Sequence, residues 1–93
     1  MEDLTGRVIY LYGRVQGVGF RYFTQKNANK LGLKGFVKNE MDGSVLIHVF
    51  GERKKVVEFT NTVKKGPFSA DVRDYEVKEI DFDSSYKGFS IKY

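Results

Sequence analysis

The sequence predicts an α+β protein, a two-layer α/β sandwich in which two helices cover one face of an antiparallel sheet. Three observations predict it. Several short runs are rich in β-branched and aromatic residues, two other segments repeat apolar residues at helical spacing, and Gly or Pro separates the segments. The 93 residues, 41% of them hydrophobic, can form one hydrophobic core, so we expect residues 1–93 to be a single domain.

The first half of the chain predicts a strand, a helix and a hairpin. Residues 7–15 (RVIYLYGRV) are β-branched and aromatic, as is typical of a strand. Residues 34–40 and 44–50 predict two more strands, because the D-G pair at 42–43 between them strongly favours a hairpin. Between the first strand and this hairpin we expect a helix that ends at Gly32. One face of this helix is formed, at helical spacing, by Phe20, Phe23, Asn27 and Leu31.

The second half predicts another helix and one or two strands. The helix ends at Gly66 and Pro67, and residues 72–81 alternate as an untidy strand. Residues 89–93 predict a possible extra short strand at the end. The order β-α-β-β-α-β is that of a ferredoxin-like sandwich. One face of the second helix is formed by Val56, Phe59, Thr60 and Val63.

The composition excludes several classes of function. With no Cys and one His, the chain offers no disulfide framework, no thiol nucleophile and no second ligand at a useful spacing for a metal site, so we expect no metal or cofactor. Its longest apolar runs, about five residues, are far too short for a membrane span. The acidic N-terminus does not resemble a signal peptide, so we expect a cytoplasmic location. A net charge of +4 suits an anionic ligand.

The stretch GRVQGVGFRY at 13–22 lies where the first strand gives way to the first helix. Gly17 and Gly19 allow such a loop to curl until its N–H groups converge on an anion, next to the free donors of a helix N-terminus. Arg21 could add a bidentate, charged contact. The stretch lacks the G-K-[ST] of a nucleotide P-loop and the third glycine of a dinucleotide fingerprint. It therefore predicts either a phosphate site or a tight turn with a solvated arginine.

Two segments resemble the signatures of the acylphosphatase family: LYGRVQGVGFR at 11–21 and GFVKNEMDGSVLIHVFG at 35–51. The resemblance implies hydrolysis of the mixed anhydride of an acyl phosphate to carboxylate and phosphate, with Asn39 positioning the attacking water. Some members carry threonine after this asparagine; here it is Glu40, so any supporting role of that hydroxyl is not transferable. The resemblance also implies a phosphate-binding loop made of Gln16, Gly17, Val18, Gly19, Phe20 and Arg21.

The chemistry implied by the resemblance requires few catalytic groups. The leaving group is a carboxylate, stable as an anion near neutral pH, so no general acid has to protonate it. Phosphoryl transfer passes through a loose transition state, in which the water needs placement more than deprotonation. We therefore expect a monomeric enzyme whose partner is a small acyl phosphate, with Arg21 and Asn39 as its catalytic residues.

The sequence also allows three other interpretations. His48 lies in the middle of a strand, where a lone histidine is usually a face or core residue rather than a catalyst. The element order and the run LKGFVKN also echo the RNA-recognition module, but the second aromatic of that motif is missing, so we expect no nucleic-acid partner. The third interpretation is a non-catalytic anion sensor or a relative of the acylphosphatase-like domain of hydrogenase-maturation factors. The free-standing length argues against that domain context, and the presence of both Arg21 and Asn39 argues against a loss of catalysis.

Overall fold

The computed structural model describes residues 3–93 and contains five strands and two helices in that range. The elements follow the predicted order, with ends that differ by one to three residues. The first strand begins earlier than predicted, and the third continues through Gly51 instead of ending before it. The elements are β1 (Leu4–Arg14), α1 (Phe20–Lys30), β2 (Lys34–Asn39), β3 (Val45–Glu52), α2 (Arg53–Lys65), β4 (Asp71–Ile80) and β5 (Phe89–Lys92).

The sheet has the strand order β4-β1-β3-β2-β5. The first four strands pair antiparallel, which confirms the ferredoxin-like prediction. The extra strand β5 is also present; it pairs parallel to β2, so the complete sheet is mixed rather than wholly antiparallel. These directions place the C-terminal ends of β1, β2 and β5 and the N-terminal end of β4 at the same end of the sheet. The β1–α1 loop therefore lies close to the ends of β2 and β5 and to the start of β4.

The core lies between the sheet and the two helices, as the alternation along the strands predicts. Ile9 and Leu11 of β1 and Ile47 of β3 point into it and are fully buried. Phe59 and the rest of the predicted face of α2 cover β1 and β3, and Phe20 at the start of α1 is also buried. Each large side chain buried in this way contributes roughly 1.5–3 kcal/mol. Because Phe20 is the first residue of α1, its burial in the core anchors the start of this helix.

The face of the sheet opposite the helices carries aromatic residues that cover one another. Phe36, the aromatic in the run that echoes RNA-binding strands, is buried beneath Tyr86 and stacks on His48, with ring centroids 4.5 Å apart. The ammonium of Lys92 lies 4.0 Å from the centre of the same ring. Base stacking needs an open aromatic face, and Phe36 has none to offer.

Neither helix within residues 3–93 is long and apolar enough to cross a membrane.

Candidate active site

The loop between β1 and α1 curls through two glycines with left-handed backbone. Gly17 has φ 73° and Gly19 has φ 75°, values that cost other L-residues roughly 1–2 kcal/mol. A Cβ built on either glycine would meet nothing within 4 Å. Glycine is therefore required here for the backbone conformation, and space remains open beside both residues.

Among residues 3–93, no side chain caps the N-terminus of α1. Gly19 is its N-cap residue, no side chain bonds to its first amides, and no acidic residue lies in its first turn. The first intrahelical bond runs from the Phe23 N–H to the Gly19 carbonyl, at 3.0 Å. Donors ahead of that bond, together with the positive end of the helix dipole, favour an anion at this position.

A cleft of about 170 Å³ opens directly in front of this helix N-terminus. It brings together residues that are distant in sequence: the loop glycines, Arg21 of α1 and Asn39 of β2. Of the residues predicted for the site, those lining the cleft are Gly17, Gly19, Phe20, Arg21 and Asn39. The other lining residues, which the sequence did not indicate, are Val15, Tyr22, Ile91 and Tyr93.

The two remaining residues of the predicted loop, Gln16 and Val18, fasten it to its surroundings. The Gln16 side-chain amide donates to the backbone carbonyls of Glu40 and Ser44, at 2.8 and 2.9 Å, and so ties the loop to the β2–β3 turn. The Val18 carbonyl accepts a hydrogen bond from the Ser69 hydroxyl at 2.8 Å, and its side chain packs against the core. The loop is thus held on both sides, a role that no sequence pattern had indicated.

Arg21 projects from the first turn of α1 toward β5. Its guanidinium donates to the Lys92 carbonyl at 3.4 Å and lies 4.6 Å from the centre of the Tyr93 ring. Among residues 3–93 no carboxylate lies within 4.0 Å of it. The positive charge therefore lies at the cleft without a carboxylate partner from the described part of the chain.

Asn39 is the last residue of β2 and follows Val37 on the face of the sheet that carries the helices. Its carboxamide oxygen is buried and has no hydrogen-bond partner among the described residues. Leaving such an acceptor unpaired costs roughly 1–3 kcal/mol, so it is suited to a ligand or a water molecule. Glu40, which follows it, pairs instead with Lys38 at 3.6 Å.

His48 lies away from the cleft, on the opposite face of the sheet. Burial lowers its pKa below the ordinary value, and the nearby charges of Lys92 and Lys38 lower it further. Its ring packs on Phe36, in agreement with the interpretation of His48 as a face residue. Across residues 3–93 no three His, Asp or Glu side chains cluster in a way that could hold a metal ion.

Comparisons with known proteins identify the family and support the fold. The sequence profile of the acylphosphatase family matches residues 7–91. An acylphosphatase of Oceanobacillus iheyensis is 54% identical over 82 residues, which are 87% of this chain and 90% of that protein. The crystal structure of an acylphosphatase from Bacillus subtilis superposes with a TM-score of 0.89 at 43% identity, covering 98% of this chain and 100% of that one.

A part of a larger protein is also similar. Full-length HypF, solved in a phosphate- and nucleotide-bound form, matches all of this chain over 12% of its own length, with a TM-score of 0.87 and 32% identity. The family profile nevertheless matches residues 7–91, and the Oceanobacillus iheyensis acylphosphatase aligns over most of its own length and of this chain. This chain therefore belongs to the acylphosphatase family.

Proposed function

We propose that this protein hydrolyses acyl phosphates by direct attack of water on phosphorus, with no covalent intermediate and no metal. The phosphoryl group binds in front of the α1 N-terminus, held by the amides of residues 16–21 and by the guanidinium of Arg21. Asn39 holds the attacking water. The observation that carries the proposal is the convergence of uncapped amides, an unneutralised arginine and an unpaired carboxamide oxygen on one cleft.

The phosphate-binding half of the proposal is supported by charge. An acyl phosphate brings negative charge to a point where the helix dipole and Arg21 both favour it. The loose transition state spreads charge over three equatorial oxygens, and fixed amides stabilise that charge without having to reorganise. Since Arg21 has no carboxylate partner among the described residues, its whole charge is available to the substrate.

The water-binding half is supported by the unpaired oxygen of Asn39. That oxygen accepts a hydrogen bond from the water, and the carboxamide NH₂ donates a second hydrogen bond to the same water. The water attacks phosphorus, the bond from phosphorus to the bridging oxygen breaks, and the acyl group leaves as a carboxylate. The proton of the water passes to a phosphate oxygen of the substrate, so the products are a carboxylate and inorganic phosphate.

The direct experiment measures phosphate release from benzoyl phosphate by the purified protein, with and without a metal chelator. We expect the same turnover in both conditions, and competitive inhibition by inorganic phosphate, which occupies the same amides and Arg21. A requirement for magnesium would contradict the proposed source of positive charge. Phosphate binding without any turnover would instead favour the non-catalytic anion sensor.

A further inference from the structure

The α2–β4 loop, residues 66–70, is hydrogen-bonded to the phosphate-binding loop and carries an exposed aromatic residue, Phe68. Phe68 is fully exposed, with a relative accessibility of 107%. Single exposed apolar residues are common on proteins, so exposure alone carries little information. The position of Phe68 relative to the phosphate-binding loop is more informative.

The loop that carries Phe68 is held firmly in place. The Ala70 N–H donates to the Pro67 carbonyl at 3.0 Å, which closes a turn with Phe68 and Ser69 at its corner. The Ser69 hydroxyl bonds to the Val18 carbonyl at 2.8 Å, and Arg14 donates to the Ser69 carbonyl at 3.1 Å. Phe68 is therefore presented at a fixed position next to Val18 and is not on a free-moving segment.

The two sides of the phosphate-binding loop are occupied by different structures. The loop follows β1, and the strand order β4-β1-β3-β2 places the end of β2 on one side and the start of β4 on the other. Gln16 fastens the loop to the β2–β3 turn, on the side of Asn39. Val18 fastens it to Ser69, on the side of Phe68. The backbone at Phe68 thus lies on the side of the loop away from Asn39, next to the cleft lining and not part of it.

In phosphoryl transfer, the attacking water and the leaving acyl group also lie on opposite sides of the phosphorus atom. The attacking and leaving oxygens lie roughly in line through phosphorus, so a water held by Asn39 requires the acyl group to leave on the opposite side. We propose that Phe68 is a binding platform for the acyl group and that it favours acyl phosphates with an aromatic or extended apolar acyl group over acetyl phosphate. This inference rests on the proposed function, since it takes the water position at Asn39 as given.

The test compares kcat/KM for benzoyl phosphate and acetyl phosphate. Only benzoyl phosphate has a ring that can pack on Phe68, and such contacts correspond to a change of about three- to tenfold. We expect the benzoyl-to-acetyl ratio to fall by that factor in Phe68→Ala and Phe68→Gln, and to be retained in Phe68→Tyr. Because Phe68 is fully exposed, we expect all three variants to unfold at nearly the wild-type temperature.

Met41 provides a matched control, because it is equally exposed, at 107%, and lies in the β2–β3 turn on the side of Asn39. Met41→Ala should leave the ratio unchanged. An unchanged ratio in both ring-free Phe68 variants would overturn the proposal, and so would an equal loss for both substrates, which indicates displacement of the phosphate-binding loop. Hydrolysis of neither substrate by the wild-type protein would refute the proposed function itself, and the platform with it.

Discussion

The N-termini of the two helices have the same local sequence features but entirely different surroundings. Each helix lacks a side-chain cap among the described residues and an acidic residue in its first turn, and each carries an arginine in that turn, Arg21 in α1 and Arg53 in α2. At α2 the Arg53 N–H donates to the Asp3 carbonyl at 2.8 Å, and its guanidinium pairs with Asp3 and Glu79 at 2.9 and 2.8 Å. At α1 the corresponding arginine meets a carbonyl and an aromatic ring.

This difference shows that a helix N-terminus is not by itself an anion site. At the start of α2, which follows β3 directly, the Arg53 amide donates to Asp3 and the Arg53 guanidinium is paired with Asp3 and Glu79. The start of α1 follows a glycine loop with open space beside Gly17 and Gly19, and Arg21 has no carboxylate partner among the described residues. The same electrostatics thus stabilise the fold at α2 and leave a candidate binding site at α1.

The largest effect expected from this comparison is the loss of activity in Arg21→Ala. One donor to a transition-state oxyanion contributes about 10²–10³ in rate, and a charged, bidentate donor should contribute at least that. We expect kcat/KM for benzoyl phosphate to fall by this factor or more, and phosphate affinity to fall with it, because the guanidinium binds substrate and product alike. Steady-state kinetics and calorimetric titration with phosphate measure the two effects.

The matched control for that variant is Arg53→Ala. It removes an arginine from the equivalent turn, but one already neutralised by Asp3 and Glu79, so activity and phosphate affinity should stay at the wild-type level. Equal losses in the two variants would mean that the net charge of the protein, rather than the local site, attracts the substrate. Full activity in Arg21→Ala would remove the arginine from the mechanism.

The second prediction separates the water from the phosphate. Asn39→Ala removes the carboxamide that we expect to hold the attacking water in the transition state without binding the phosphate. The variant should therefore lose most of its kcat and kcat/KM, by about 10²-fold, with KM nearly unchanged. Phosphate should still bind, and the unfolding temperature should stay close to wild type, since the Asn39 oxygen has no partner to lose among the described residues. If Asn39 only shapes the turn, stability will drop and turnover will survive.

The third prediction tests whether the glycine loop serves the site or only the chain reversal. Gly19 and Gly32 flank α1 with φ 75° and 69°, and a Cβ on either would meet nothing within 4 Å. Alanine at each should therefore cost a similar 1–2 kcal/mol of stability, which corresponds to at least about 4–8 °C in unfolding temperature. Only Gly19→Ala should also weaken phosphate binding and lower kcat/KM, by about tenfold, because it displaces the amides that face the anion. Equal activity in the two variants would contradict an anion-binding role for the loop.

The fold could be predicted because its signals are local. Periodicity places both helices and the hairpin, and the D-G pair at 42–43 and Gly66 mark the ends of elements. The orientation of β5 could not be predicted in this way. Its pairing with β2 joins Gly35 to Phe89, more than fifty positions apart, and no local pattern specifies a parallel neighbour at such a distance.

The site could be predicted only in part, for the same reason. The glycine loop and Arg21 are contiguous, so spacing reveals them, and the family resemblance adds Asn39. The contacts that hold these residues are between segments that only folding brings together: Gln16 with the β2–β3 turn, and Arg21 with β5. The assignments of Arg21 and Asn39 as catalytic residues stay predictions until the variants above are measured.

The smallest expected effect concerns the ion pairs of Arg53 at the start of α2. The Arg53 guanidinium hydrogen-bonds to Glu79 and holds the pKa of that carboxyl below its ordinary value of 4.5. A carboxyl whose pKa is depressed by folding stabilises the native state at pH values above 4.5, and this contribution is lost as the pH falls through the depressed pKa. Both partners are exposed, so Arg53→Ala should lower the unfolding temperature only slightly at pH 7, and the difference from wild type should shrink toward pH 3. Thermal unfolding of both proteins from pH 7 to pH 3 measures this. A difference that is independent of pH would show that Arg53 stabilises α2 through its packing rather than through its charge.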